Sequence, residues 1–486
     1  MSPWIRRPGL AGIIVAVVLA TACQQTTTLP PAGPQAVTMA QLSQANQALR
    51  KARHLADPRE AVGHYLLAAE IAWDLDWKLS GPVIQHDNRK AARIYDAAVL
   101  GLMAHARDPE WLQQSRTLEF DIPGPRGAYN LKFDPAGLAT LRDYKEFKPA
   151  STYRGKAGFD RRITREGIGV PVVAINRDSI LPGVMVPGKE DAFKRREGYT
   201  SPRTVVLTFD KPPAPGQARN VRIALVDPRK TAIEQVGKRV LPVAADLTAP
   251  LMAAYPTFGS QLSAFIDAIF PDSLLSASDI YALEMHDPER TPVLLVHGLF
   301  STPDMWKNLI NELNAAPEIG SRYQFYTFTY PTGLAPSFTA TILRKKLANP
   351  TTEHPLNQGY VLIGHSMGGI LSRMQITDTG RVLWDETFGA KADAAYRQSS
   401  PGDPLRGELC FKADPRARRA IFVCVPHRGS PLADKSIVQQ IGKLVRMPFE
   451  ITEALATSPL RALGVLPDRL PTSAQGLSTQ SPVLKG

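Results

Sequence analysis

The sequence predicts an α/β protein: a mostly parallel sheet with helical crossovers in the C-terminal part, preceded by a helical segment and a β-rich segment. Three observations carry that expectation. From residue 292 onward, short apolar runs alternate with helix-compatible stretches, the pattern of strand, crossover helix, strand. One of these runs, residues 359–364, leads directly into Gly364-His365-Ser366-Met367-Gly368 and then a further helix-compatible stretch. Ahead of this part the patterning changes twice, from apolar residues three and four apart over 38–118 to alternating, β-branched runs over 119–245.

A chain of 486 residues exceeds one ordinary domain, so two or three are expected. With 44% hydrophobic and 21% charged residues it reads as a folded soluble protein, neither disordered nor repeatedly membrane-spanning. The net charge of +12 suits a solvated surface or an anionic lipid surface. No basic run interleaved with aromatics points to nucleic acid.

Residues 1–22 read as an export signal: Arg6 and Arg7, a short apolar core over 9–22, then Ala20-Thr21-Ala22 before Cys23. The apolar run is shorter than the roughly 20 residues a membrane span needs. The end of this segment is similar to a bacterial lipoprotein box, with Ala20 where that box usually has Leu. Signal cleavage and lipoprotein processing would cut the same bond, and only a lipid on Cys23 separates them. The expected location is the cell envelope, with residues 23–37 as a Pro-rich tether. If Cys23 is acylated, Cys410 and Cys424 remain, and an oxidising compartment would let them pair. Cys424 lies in the apolar run AIFVCVP and is expected as a buried small hydrophobe.

Helices are expected over 39–55, 58–79 and 88–106, punctuated by Asp57-Pro58 and Gly81-Pro82. Paired helices of this kind resemble a tetratricopeptide-type hairpin and make a protein partner for this segment conceivable, although no clean repeat is visible. In 119–245 the runs LEFDI, YNLKF, GVPVVAI, RTVVLTF and VRIALVD read as strands, forming either a small domain or an elaboration packed on the C-terminal part. In 246–486, strands are expected over 292–297, 323–330, 359–364 and 420–425, with helices over 304–315, 336–347 and after Ser366. The connection over about 372–415 is long and sits where a lid or cap is often carried.

The motif around Ser366 demands a sharp strand-to-helix turn that exposes Oγ at the strand end, with glycines admitting close backbone. His297-Gly298-Leu299-Phe300 ends the first strand of this part, where a backbone N–H can join the one after the nucleophile to bind an oxyanion. That pair would be Leu299 and Met367. The stretches LLVHGLFSTPDMW, GHSMGG and VPHRGSPLAD are similar to bacterial α/β-hydrolases of the esterase and triacylglycerol lipase group, over about residues 290–435. The resemblance implies an α/β-hydrolase fold, an acyl-enzyme on Ser366, an oxyanion hole from Leu299 and Met367, and an ester or lipid substrate.

The rest of the catalytic triad is missing from that resemblance. In this fold the acid and then the histidine come after the nucleophile. His427 is the only histidine after Ser366, and it lies in VPHRGSP, where relatives use it structurally. As a base it would need an unusual order; the expected role is a hydrogen-bonded loop residue. His297 and His365 are expected to shape their loops. The late carboxylates Asp434, Glu450, Glu453 and Asp468 follow no clear strand. The resemblance therefore suggests an incomplete hydrolase domain, a degenerate one, or a histidine donated by a partner chain. The alternative to an esterase is a catalytically impaired lipoprotein scaffold. No H-E-x-x-H, Cys/His cluster or Gly-rich phosphate loop occurs, so neither a metal nor a nucleotide cofactor is implied.

Overall fold

The structure, a computed structural model, describes residues 39–79, 89–105, 119–134, 144–155, 158–176, 199–214, 216–236, 239–254, 278–348, 355–431, 460, 464 and 472–485. Three helices come first: α1 (Met39–Ala52), α2 (Pro58–Leu79) and α3 (Arg89–His105). In α1 the buried residues Leu42, Ala45, Leu49 and Ala52 recur at helical spacing and form one face. Helix α2 opens with Pro58, whose missing N–H costs nothing there, and Asp57 Oδ1 accepts the Arg59 N–H at 2.8 Å.

Six strands of one sheet follow: β1 (Glu119–Ile122), β2 (Tyr129–Phe133), β3 (Tyr144–Pro149), β4 (Val170–Asn176), β5 (Thr200–Phe209) and β6 (Arg219–Val226). They form one sheet in the order β1-β2-β6-β5-β4-β3. The helices and this sheet share a single core, in which Leu66, Ala68 and Leu102 pack with Leu131, Val205 and Leu207. Polar ties cross the same boundary. The Tyr95 hydroxyl donates to the Leu207 carbonyl at 2.6 Å and accepts the Leu207 N–H at 3.1 Å. Arg219 on β6 is buried and pairs with Glu70 and Asp74 on α2.

The second sheet has five strands: β7 (Asp279–Ala282), β8 (Thr291–Val296), β9 (Tyr323–Thr329), β10 (Tyr360–His365) and β11 (Ala417–Val423), in the order β7-β9-β8-β10-β11. Only β7 is antiparallel, at the edge against β9; the other pairs are parallel. Val293 and Leu295 of β8 face one core and Leu294 and Val296 the other, so the strand is buried on both sides, as a parallel strand covered by helices must be. Helix α4 (Thr248–Ala254) precedes this sheet, and helices α5 (Lys307–Ala315), α6 (Pro336–Leu347) and α7 (Met367–Arg373) supply its crossovers. Strand β11 ends at Val423, earlier than the apolar run over 420–425 implied, and β3 and β7 carried no clear sequence signal.

The two sheets meet at α4. Ala249 and Ala253 pack on Val173 and Ile175 of β4, while Leu251 and Met252 enter the core of the second sheet. Beside it lies a buried ionic cluster. Arg229 bridges Asp227 and Glu284 at 2.7 and 2.8 Å, Arg290 reaches Glu284 at 2.6 Å, and Arg203 reaches Asp227 at 2.9 Å. Arg203 and Asp227 belong to the first sheet's strands and their extension, Glu284 and Arg290 to the approach to β8. Burial would raise the Glu284 carboxyl, but Arg229 and Arg290 outweigh it and hold it at about 2.

The connection after α7 folds into three short helices, α8 (Val382–Phe388), α9 (Ala392–Gln398) and α10 (Pro404–Leu409). Trp384 is their fully buried centre, donating Nε1–H to the Ala392 carbonyl at 2.9 Å with Phe388 and Tyr396 against its ring. Glu408 of α10 is also buried and accepts the Ser337 hydroxyl of α6. Burial pushes its carboxyl up to about 7, with Ser337 and Arg344 only partly opposing.

The two buried carboxylates affect stability in opposite ways. Replacing Glu284 by Ala leaves Arg229 and Arg290 buried without their carboxylate and should cost about 3–5 kcal/mol in denaturant unfolding. Because the folded pKa of Glu284 is depressed, its contribution is complete above the ordinary value of 4.5 and is lost as pH falls toward 2, a loss that Glu284→Gln should blunt. Glu408 has the opposite sign. Its raised pKa makes the fold less stable as pH rises from 4.5 to about 7. Glu408→Gln, which keeps a partner for Ser337, should match the parent chain at about pH 3.5 and exceed it by up to about 3 kcal/mol at pH 8.

Candidate active site

Ser366 stands where β10 ends and α7 begins. Its N–H donates to the Val423 carbonyl of β11 at 3.0 Å, so the strand keeps its pairing up to the turn. The backbone then adopts φ 51°, ψ −122°, a conformation a non-glycine residue holds only when its surroundings impose it. The surroundings here are tight. A Cβ on Gly368 would lie 2.2 Å from the Val296 carbonyl oxygen and 2.3 Å from that of His297. Helix α7 thus starts directly against the end of β8, which only glycine permits.

The same closeness brings in the loop after β8. A Cβ on Gly298 would lie 3.1 Å from the Ser366 Cβ and 3.0 Å from His365 Nδ1. Leu299 comes next, then Phe300 in left-handed backbone at φ 54°. Among the described residues no group accepts the N–H of Leu299 or of Met367. The structure therefore brings Ser366, Leu299 and Met367 together, with both N–H groups uncommitted among the described residues; that of Met367 stands at the start of a helix, where developing negative charge is favoured.

The histidines play different parts. His297 is fully buried, stacked on Tyr330 with ring centroids 4.3 Å apart, and its carbonyl accepts the Tyr330 hydroxyl. Its Nδ1 lies 3.1 Å from the Gly298 carbonyl oxygen, and burial holds its pKa down to about 4. It is a neutral brace for the loop. His365 sits edge-on to Trp306, and burial lowers its pKa. His427 does not meet the expectation of a hydrogen-bonded loop residue. Its backbone N–H reaches the Val425 carbonyl at 3.0 Å, but among the described residues Nδ1 is buried without a partner and the ring packs edge-on against Phe422. Burial and then the Arg373 charge lower its pKa. No hydrogen bond joins it to Ser366 Oγ among the described residues.

Cys424 is a further correction. The chain leaves the sheet at Val423 and turns through left-handed backbone at Cys424, φ 51°, which puts this residue on the surface instead of in the core. Cys410 and Cys424 are both free thiols. Cys23 and the carboxylates Asp434, Glu450, Glu453 and Asp468 lie outside the described residues.

One participant had no sequence signal. Residues 472–485 bridge the loops beyond the sheet's carboxyl edge. Ser473 N–H donates to the Gly333 carbonyl at 3.0 Å beyond β9, and Leu477 accepts the Ser430 N–H at 2.9 Å beyond β11. Strands β8 and β10, with Leu299 and Ser366 at their ends, lie between those two anchors. Leu477 is buried in the same core cluster as Met367, with Leu299 packed against it. No element of the sequence pattern identified 472–485 as part of the site, because its anchors are backbone groups of distant loops.

Among the described residues no group of His, Cys, Asp and Glu is placed to hold a metal ion, and no helix is long and apolar enough to cross a membrane. Comparison with known proteins bears on the fold. Residues 293–476 match the model of a family described as the alpha/beta hydrolase family. None of the curated proteins matches the chain. Two solved structures of the Bacillus licheniformis lipase BlEst2 are similar to it. The mature form is 20% identical over 42% of this chain and 59% of its own, and the propeptide form 19% identical over 41% and 32%, each with a TM-score of 0.21. The chain thus spans less than two thirds of either lipase. The family match and the five-stranded sheet with its strand-to-helix turn at Ser366 give the C-terminal part of this chain the α/β-hydrolase fold.

Proposed function

We propose that the protein is an exported serine ester hydrolase, carboxylesterase- or lipase-like, that forms an acyl-enzyme on Ser366. The observation that carries this reading is the left-handed turn holding Ser366 between two N–H groups, of Leu299 and Met367, that have no acceptor among the described residues. Ser366 Oγ would attack the ester carbonyl carbon, and the carbonyl oxygen, now an oxyanion, would take both N–H bonds. Collapse would break the bond to the alcohol, and water would then release the acid. His427, in the loop after β11, is the candidate base and would turn toward Oγ to take its proton.

A second reading rests on one observation: Ser366 Oγ makes no hydrogen bond among the described residues. On that reading the chain is a catalytically impaired hydrolase-derived lipoprotein that serves as a binding scaffold. A fluorophosphonate probe followed by intact mass separates the two. The first expects slow addition of one phosphonyl group, absent from Ser366→Ala. An unmodified parent chain after prolonged exposure would favour the scaffold. The N-terminal anchor is tested on its own: labelled palmitate should enter the full chain and be lost in Cys23→Ser, and label that persists in that variant removes the lipoprotein part of the proposal.

A further inference from the structure

An oxyanion hole works through the direction of its N–H groups, not only through their presence. Met367 is aimed by the helix it begins. Leu299 has no such frame: it lies in a loop, and its own N–H is uncommitted among the described residues. Its aim depends on the peptides on either side. On the preceding side, the His297 carbonyl is held by the Tyr330 hydroxyl, the His297 ring is stacked on Tyr330, and Gly298 is pressed against Ser366 and His365. On the other side there is a polar tie from the Phe300 N–H to Thr332 Oγ1 at 3.2 Å. Phe300 stands in left-handed backbone at φ 54°, strained for a bulky residue, and weakening this tie would favour its relaxation toward negative φ. That relaxation would rotate the Leu299–Phe300 peptide and swing the Leu299 backbone with it. Thr332 itself is 3% exposed, in the loop beyond β9, so its hydroxyl is fixed by its surroundings.

We propose that Thr332 is a positioning residue for the oxyanion hole: by accepting the Phe300 N–H it holds the Leu299–Phe300 peptide and so aims the Leu299 N–H at the developing oxyanion. This rests on the reading of Ser366 as an acylated nucleophile. The action of Thr332 on Ser366 chemistry passes entirely through the loop.

The test compares the full-length chain with Thr332→Val, which keeps the volume and loses the acceptor, and Thr332→Ser, which keeps the acceptor. Phosphonylation of Ser366 by a fluorophosphonate is followed at several probe concentrations, and amide hydrogen exchange is measured across Leu299–Ser301. In Thr332→Val the maximal rate, kinact, should fall by about 10- to 100-fold while KI stays unchanged. Exchange at the Phe300 amide should speed up in the same variant. Thr332→Ser should restore both, and all three chains should unfold at similar temperatures. Wild-type kinact in Thr332→Val overturns the proposal, as does a Thr332→Ser that is equally impaired, since volume would then be what matters. If the parent chain shows no Ser366-dependent reaction, the ester-hydrolase reading fails. The loop claim is then decided separately, because exchange unchanged in Thr332→Val overturns it whatever the activity.

Discussion

Everything at the site depends on one steric contact: the start of α7 against the end of β8. Gly368 allows the Val296 and His297 carbonyls to come within a distance that any side chain would forbid. That approach forces the chain to reverse in a single residue at Ser366, in backbone that serine does not choose by itself. The strain is offset by the neighbours that fix it, the parallel pairing with β8 and β11 and the helix that begins at once. The same contact brings the loop after β8 beside the serine, so Ser366 and the loop that carries Leu299 are placed by one packing event and not by two.

The N-terminal part is joined to this sheet in a different way. Apolar packing through α4 gives the shared surface, while the Arg203, Asp227, Arg229, Glu284 and Arg290 cluster fixes its geometry. Buried ion pairs are weak sources of net stability, since desolvation offsets much of the attraction. Their strength is intolerance of misplacement: shifting either sheet by one residue would leave a charge unpaired inside the protein. The junction is therefore rigid in register, and it lies under β8, the strand whose end carries Gly298 and Leu299 beside Ser366.

Local signals made the centre of the site legible. The glycine-serine-glycine turn and the His297-Gly298 pair sit within a few residues of the strands that precede them, and the parallel strands were visible as continuous apolar runs. The features that escaped have common physical causes. The apolar run through Cys424 does not reveal where the chain leaves the sheet, because a left-handed turn costs no change of residue type; the cysteine was therefore expected inside and lies outside. Strands β3 and β7 are short and weakly alternating. Thr332, Tyr330 and Glu408 act on partners that are remote in sequence, through hydroxyl, ring and carboxyl groups common in any chain. The His427 ring packs against Phe422, and among the described residues its Nδ1 has no hydrogen-bond partner, a placement set by a contact five residues back and not by the run VPHRGSP itself.

The bridge made by residues 472–485 has a consequence for how the molecule comes to be. Its anchors beyond β9 and β11 join stretches far apart in the chain, and contacts of that kind repay the entropy of closing a long loop only after the intervening structure exists. The central strands and the turn at Ser366 can form first, leaving the loops beyond β9 and β11 unbridged until residues 472–485 dock. Long-range contacts of this kind make the bridge the dependent element: it has nothing to close upon until both loops are in place.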